Sequence, residues 1–216
     1  MSGVLSSAGR IARREVVLEA SGRELVTVVP PFVLAAVVLA GLGFGPRPEV
    51  LRAVAPALPW LVVLFAAVPM ARSVAAAERD EGCWHLLRGL VSPGELFAGK
   101  AGALALWLTL TWAGTAVLIA AMLDAPLRAA AVPAGVLGGV GLAALVTTFG
   151  VALAGAEKRS GLLSVLLCPA AVPVLLAGAQ AGTAGVNARP WLLLLVAYDV
   201  IALAVAWAVF PVLLEE

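Results

Sequence analysis

The sequence predicts an all-α, polytopic membrane protein with six transmembrane helices, an N-terminal interfacial helix and a cytoplasmic coupling helix. Three observations predict it. The 216 residues are 62% hydrophobic and 12% charged, whereas a soluble domain carries about 25% charged residues. Mean hydropathy is +1.06. Six apolar runs each approach the ~20 residues needed to cross about 30 Å of hydrocarbon at 1.5 Å per residue. Ala, Gly and Val supply much of this apolar content and aromatics only 6%, and small residues let helix backbones approach closely in lipid. A tight bundle is expected, not a water-filled pore. One membrane domain, residues 1–216, accounts for the chain.

The segment Leu5–Arg23 comes first. Leu5, Ala8, Ile11, Ala12 and Leu18 fall near one helical face, and Arg10, Arg13, Arg14 and Glu19 fall largely elsewhere. Such a helix lies in the headgroup region, as an elbow framing a lateral entrance or as a simple anchor. The first span is about Leu25–Phe44. It is too long for a signal-peptide core and is read as retained. Pro30 and Pro31 sit early in it.

A short loop, Gly45–Arg52, leads to the second span, about Val54–Met70 and extending to Ala77, with Pro56, Pro59 and Pro69 inside it. The third span is about Ala101–Leu123 and the fourth about Ala129–Ala154. In the fourth, G-V-L-G-G-V-G-L-A-A from Gly135 places Gly135, Gly139 and Ala143 one turn apart. That spacing serves a dimer or an internal helix contact, and the internal contact is the commoner use. The fifth span, about Leu162–Gly182, carries Pro169 and Pro173 four residues apart. Each proline removes a backbone donor, so the pair is a candidate hinge or a fixed bend. The sixth is about Pro190–Leu214. Trp60 and Trp191 fall where aromatic belts sit at a membrane surface.

Orientation follows from the short connections. Arg10, Arg13, Arg14, Arg23, Arg72, Arg79, Arg88, Lys100, Lys158 and Arg159 fall on the side of the termini, against Arg47, Arg52, Arg128 and Arg189 opposite. Both termini are therefore expected in the cytoplasm.

Several function classes lack their residues. Net charge is +1, with no basic cluster for a phosphate backbone, so no nucleic-acid partner is expected. Nucleophile-elbow, zinc-protease, phosphate-loop and dinucleotide signatures are missing, and no catalytic residue is assigned. Cys83 and Cys168 make neither a disulfide framework nor a zinc site, and no metal is expected. His85 reads as a surface residue and not a haem ligand, because it lies outside the hydrocarbon.

Two features remain. Asp199 sits in L-L-L-V-A-Y-D-V-I-A-L-A, mid-span and beside Tyr198. A carboxylate at that depth costs about 2.5–3.5 kcal/mol on insertion scales, so it is a candidate intramembrane polar site, contacting substrate or partner or hydrogen-bonded across helices. The other is the long charged stretch E-R-D-E-G-C-W-H-L-L-R-G-L-V-S-P-G-E-L-F-A-G-K from Glu78 to Lys100. Leu86, Leu87 and Leu90 make residues 78–92 an amphipathic helix suited to docking on a soluble protein. Ser92 and Glu95 form a capping box for the next helix.

This stretch resembles the ABC-2 type of exporter permease, which carries an acid-rich segment, a glycine, a leucine-rich helix, a proline and a lysine between its second and third spans. Here these are Glu78, Glu81, Gly82, Leu86, Leu87, Pro93 and Lys100. G-P-R-P-E-V-L-R-A-V-A-P from Gly45 is similar to the first outer loop of the haem exporter B (CcmB) family. E-K-R-S-G-L-L-S-V-L-L-C-P-A-A-V-P-V-L-L from Glu157 is similar to that family's charged turn and proline-paired fifth span. The resemblance covers about Arg10 to Ala181, and the sixth span matches little. Two departures stand out. Cys83, Trp84, His85 and Leu86 replace the family's usual small hydroxyl, acid and amide, and Asp199 has no counterpart.

The resemblance implies a permease subunit in a bacterial inner membrane, with a cytoplasmic ABC ATPase docked at Glu78, Glu81, Gly82, Leu86, Leu87 and Pro93. ATP hydrolysis would reside on that partner. Further implied partners are a haem-handling membrane protein and a small single-span protein, and a homodimer is an allowed arrangement. The implied role is haem handling for cytochrome c biogenesis, with release of haem-loaded chaperone or haem transport. Haem would be cargo or partner-bound, and no cofactor of this chain is expected. Alternatives are an exporter of another amphipathic substrate and a non-transporting scaffold.

Overall fold

The computed structural model of the chain describes residues 9, 11–14, 16–17, 24–45, 47–80, 92–125, 127–153 and 160–215, leaving aside the side chains at 24–28, 72–80, 153, 160–164 and 214–215. Beyond the helical residues 11–14 and 16–17, seven α-helices occur and no strand among the described residues. They are α1 (Glu24–Phe44), α2 (Pro48–Val54), α3 (Leu58–Asp80), α4 (Pro93–Met122), α5 (Ala131–Leu153), α6 (Ser160–Gly182) and α7 (Ala188–Glu215).

Helices α4, α5, α6 and α7 are each long and apolar enough to cross a membrane. The pair α2 and α3, bent by 45° at the break between them, makes a fifth. In α1 the apolar part described is Val29–Phe44, shorter than a span. Among the described residues the fold is therefore all-α with four to five apolar spans. Of the N-terminal interfacial segment, Ile11 packs on the edge of the core and most other residues lie outside the description.

Helix starts follow local chemistry. The capping box at α4 is present. Ser92 Oγ accepts from the Glu95 N–H (3.4 Å), and Glu95 Oε2 accepts from the Ser92 N–H (3.1 Å). Pro93 occupies the first turn, where its missing N–H costs nothing. Gly45, at φ +64°, reverses the chain after α1.

Two expectations about the second span are corrected. The predicted loop at Gly45–Arg52 contains a helix, α2, started by Pro48 with Glu49 in its first turn. Pro56 lies in the turn between α2 and α3, and Pro59 lies in the first turn of α3, where proline is tolerated. Only Pro69 interrupts the helix interior.

Helix α5 is the axis of the bundle. Two thirds of its span window is buried, against a third for α4 and α6 and 22% for α7. Small residues make this possible. A Cβ on Gly135 would overlap the Trp112 ring of α4, and one on Gly139 would overlap Thr109 Oγ1 of α4. Ala143 is wholly buried. The Gly135/Gly139 spacing thus serves an internal contact, with α4. On other faces Gly138 meets Trp60 of α3 and Val174 of α6, and Gly141 meets α7.

Trp60 is not a belt residue. It is 2% exposed, with its indole held between Gly138 and Gly178 and its ring 6.1 Å from that of Trp112. Burying a large amphipathic ring against glycine backbones brings more dispersion contact than a headgroup position provides. Trp191 is half-buried against the same core.

Candidate functional site

Three places on this bundle carry the residues singled out by sequence. The first is the approach to the N-terminus of α4. Glu81, Gly82, Leu86 and Leu87 lie outside the described residues, as do Cys83 and His85. The backbone of Glu78 belongs to the last turns of α3, and its side chain lies outside the description. Pro93 is described and begins α4.

The turns just after Pro93 are firmly seated. Leu96 and Phe97 are 5% and 3% exposed, and Lys100 is buried at 3%. The Phe97 ring lies 5.3 Å from Phe210 and 6.4 Å, edge to face, from Trp207, both on α7. Trp207 also covers Gly94, where a Cβ would overlap its ring. The first two turns of α4 are therefore wedged into the C-terminal part of α7. Sequence reasoning missed this contact, because the partners lie more than a hundred positions apart. The available signal was the spacing Trp207, Phe210, Pro211 near the end of the last apolar run.

The second place is the middle of α7. Asp199 is 6% exposed, and its Oδ1 has no hydrogen-bond partner among the described residues. Gly141 of α5 faces it, and a Cβ there would overlap the carboxylate oxygen. Beside it the Tyr198 hydroxyl donates to the Ala170 carbonyl of α6 (2.6 Å). Ala170 stands between Pro169 and Pro173, both interior to α6. Pro169 and Pro173 leave the carbonyls of Val165 and Pro169 without an amide donor, and the Tyr198 bond falls on the next carbonyl, within that weakened turn. So the structure brings Tyr198, the neighbour of Asp199, to the proline pair of α6, while Asp199 itself faces α5. Neither Asp199 nor Tyr198 has an ion-pair partner among the described residues.

The Tyr198 bond supports a modest prediction. Tyr198→Phe should lower stability in detergent by about 0.6 kcal/mol, and at most about 1.7 kcal/mol, the span measured for interhelical hydrogen bonds in membranes. A detergent-denaturation midpoint equal to wild type would show that the bond contributes nothing.

The third place is the opposite end of the bundle, where Arg52, Arg128 and Arg189 cluster with the connections. Arg128 Nη1 donates to the carbonyls of Thr183 (2.9 Å) and Val186 (2.6 Å), tying the α4–α5 connection to the α6–α7 turn. Arg52 pairs with Asp124 at 3.4 Å, an exposed contact of little energetic weight. Among the described residues no group of three or more His, Cys, Asp or Glu side chains converges as a metal site would require. Cys168 is a free, exposed thiol on α6.

In comparison with known proteins, the model of the family described as CcmB protein matches residues 7–215. That range includes α7, beyond the Arg10–Ala181 stretch that carries the motif resemblance. Heme exporter protein B of Rhodobacter capsulatus is 34% identical over 156 residues, covering 69% of this chain and 70% of the relative. Heme exporter protein B of Bradyrhizobium diazoefficiens is 31% identical over 189 residues, covering 83% of this chain and 82% of the relative.

Proposed function

Because this chain belongs to the CcmB family, which matches residues 7–215, we propose that it is the membrane permease subunit of a haem-related ABC transporter complex. It couples ATP hydrolysis by a partner ATPase to haem handling in cytochrome c biogenesis. The observation that carries the coupling part is the seat of α4. The capped turn at Ser92–Glu95 comes directly after the docking segment 78–92, and Phe97 is wedged against Trp207 and Phe210 of α7. A displacement of the docking helix thus reaches α4 and α7 together.

In this reading α1 and the bent pair α2–α3 complete six spans with α4 to α7. Both termini and residues 78–92 lie in the cytoplasm of a bacterial inner membrane, and residues 1–24 form the elbow helix. The ATPase docks at Glu78, Glu81, Gly82, Leu86, Leu87 and Pro93. Pro169 and Pro173 supply the hinge in α6, with Tyr198 holding the stretch between them. A haem-handling membrane protein and a small single-span protein complete the assembly, and haem is its cargo or is held by a partner.

The test is a double variant, Glu81→Lys with Leu87→Asp, co-expressed with the ATPase. Reversing the charge and removing the apolar anchor should lower ATP-coupled activity at least tenfold, a loss of about 1.4 kcal/mol or more. The isolated subunit should remain folded and monodisperse. Unchanged ATP-coupled activity would remove the docking role. A deletion strain defective only in c-type cytochromes would separate haem handling from export of another amphiphile. A scaffold, unlike a coupled permease, would tolerate a rigidified α6.

A further inference from the structure

The arginine-bearing end of the bundle holds a cavity of about 410 Å³, at the small end of the 300–1,000 Å³ typical of ligand sites. Its inner wall is the Trp60–Trp112 pair with the bare backbones of Gly178 and Gly182, and Arg52 and Arg128 also line it. Both tryptophans are at least nine-tenths buried.

The charges are unbalanced. Arg128 spends Nη1 on two backbone carbonyls and has no carboxylate within ion-pair distance among the described residues. Those carbonyl bonds fix its guanidinium in place. Arg52 has only the long, solvent-exposed contact with Asp124. The cavity therefore joins an apolar, aromatic interior to two cationic groups.

We propose that this cavity binds one anionic phospholipid from the leaflet at that end of the bundle. Its phosphate lies between Arg52 and Arg128, and one acyl chain runs inward over Trp60 and Trp112. Charge complementarity favours an anionic head, since two guanidinium groups at one cavity mouth match a phosphate and repel the ammonium of a zwitterionic head. The position favours a membrane lipid over a soluble anion. The arginines sit where helices end, at headgroup level, and Leu127 on the cavity wall is 41% exposed. The volume accommodates a headgroup and part of one chain, with the rest of the lipid outside on the apolar surface. This site goes beyond the ATPase-coupled reading and does not depend on it.

The experiment uses the full chain in mild detergent, given equal amounts of phosphatidylglycerol and phosphatidylethanolamine with matched chains, with bound lipid counted by native mass spectrometry. Each arginine near a phosphate is worth roughly a fivefold preference, so the glycerol lipid should be retained at least about tenfold over the ethanolamine lipid. Arg52→Gln with Arg128→Gln should abolish that preference. Arg128 also holds the 183–186 turn, so a second variant, Ala184→Leu, obstructs the cavity from its exposed wall and leaves both arginines in place. It should reduce retention of the glycerol lipid to the level of the ethanolamine lipid. Equal retention of the two lipids by wild type would overturn the proposal, as would a preference that survives both variants. Haem that displaces the lipid and is itself excluded by Ala184→Leu would assign the cavity to cargo instead. None of these results bears on the Glu81 and Leu87 test, so the two readings fail separately.

Discussion

Gly138→Leu should destabilise the bundle by about 3 kcal/mol, the upper end of the usual overpacking cost. The reason is the box around Trp60. Gly138 of α5 and Gly178 of α6 press on its indole, and Trp112 lies beside it. A side chain at position 138 has to enter the space of that ring and of Val174 Cγ1. The ring cannot retreat, because a Cβ at Gly178 would overlap it as well. Since the packing of three helices depends on this contact, the loss should appear in the midpoint of detergent unfolding. Trp60→Ala in the Gly138→Leu background should recover part of it, with a coupling energy above about 1 kcal/mol in a double-mutant cycle. Gly102 in α4 is the control. Nothing lies within 4 Å of a Cβ there, so Gly102→Ala should be neutral or stabilising by up to about 1 kcal/mol. A Gly138→Leu protein as stable as wild type would show that Trp60 is not confined.

The second large effect is expected at Asp199. Asp199→Lys places a longer cation where the carboxylate already touches Gly141, with no ion-pair partner among the described residues. An uncompensated buried charge costs about 3–5 kcal/mol, enough to empty the folded population of many proteins. Little monodisperse protein should be recovered. Asp199→Asn keeps the shape and removes the charge. It should fold at least as stably as wild type, because Oδ1 has no donor to lose among the described residues. A loss above about 1 kcal/mol in Asp199→Asn would show that the carboxylate has a partner after all. Full activity and unchanged assembly in the same variant would remove any transport role for this group.

How much of the fold was legible in the sequence depends on the range of each interaction. Helix ends were legible where apolar runs stop, and the Ser92–Glu95 cap was legible because its partners are three residues apart. The Gly135/Gly139 spacing marked a packing face, although its partner, α4, could not be read from it. Trp60 was misread because the aromatic-belt rule knows only depth in the membrane, whereas its partners, Gly138 and Gly178, lie 78 and 118 positions away. Helix α2 was hidden in a stretch dense in Pro and Arg, whose character as a loop or a short helix depends on one proline at the first helical position. The wedge of Phe97 between Trp207 and Phe210 needed the fold itself. Of the proposed docking residues, Pro93 and the backbone of Glu78 belong to described helices, and the docking assignment of all six rests on sequence and family.

The continuity of α4 has a mechanical meaning. It is 30 residues long, with no proline after the first, so at 1.5 Å per residue it reaches about 45 Å. Helices α3, α6 and α7 all carry interior prolines and can bend where they stand. The α4 helix has no such soft point. It is held by Trp207 and Phe210 at one end and by Gly135 and Gly139 of α5 further along, and it carries Trp112 and Ala116 at the far cavity. A push at Pro93 would therefore be carried along it as the shift of one stiff rod, taking α5 with it, and would reach the far cavity undiminished.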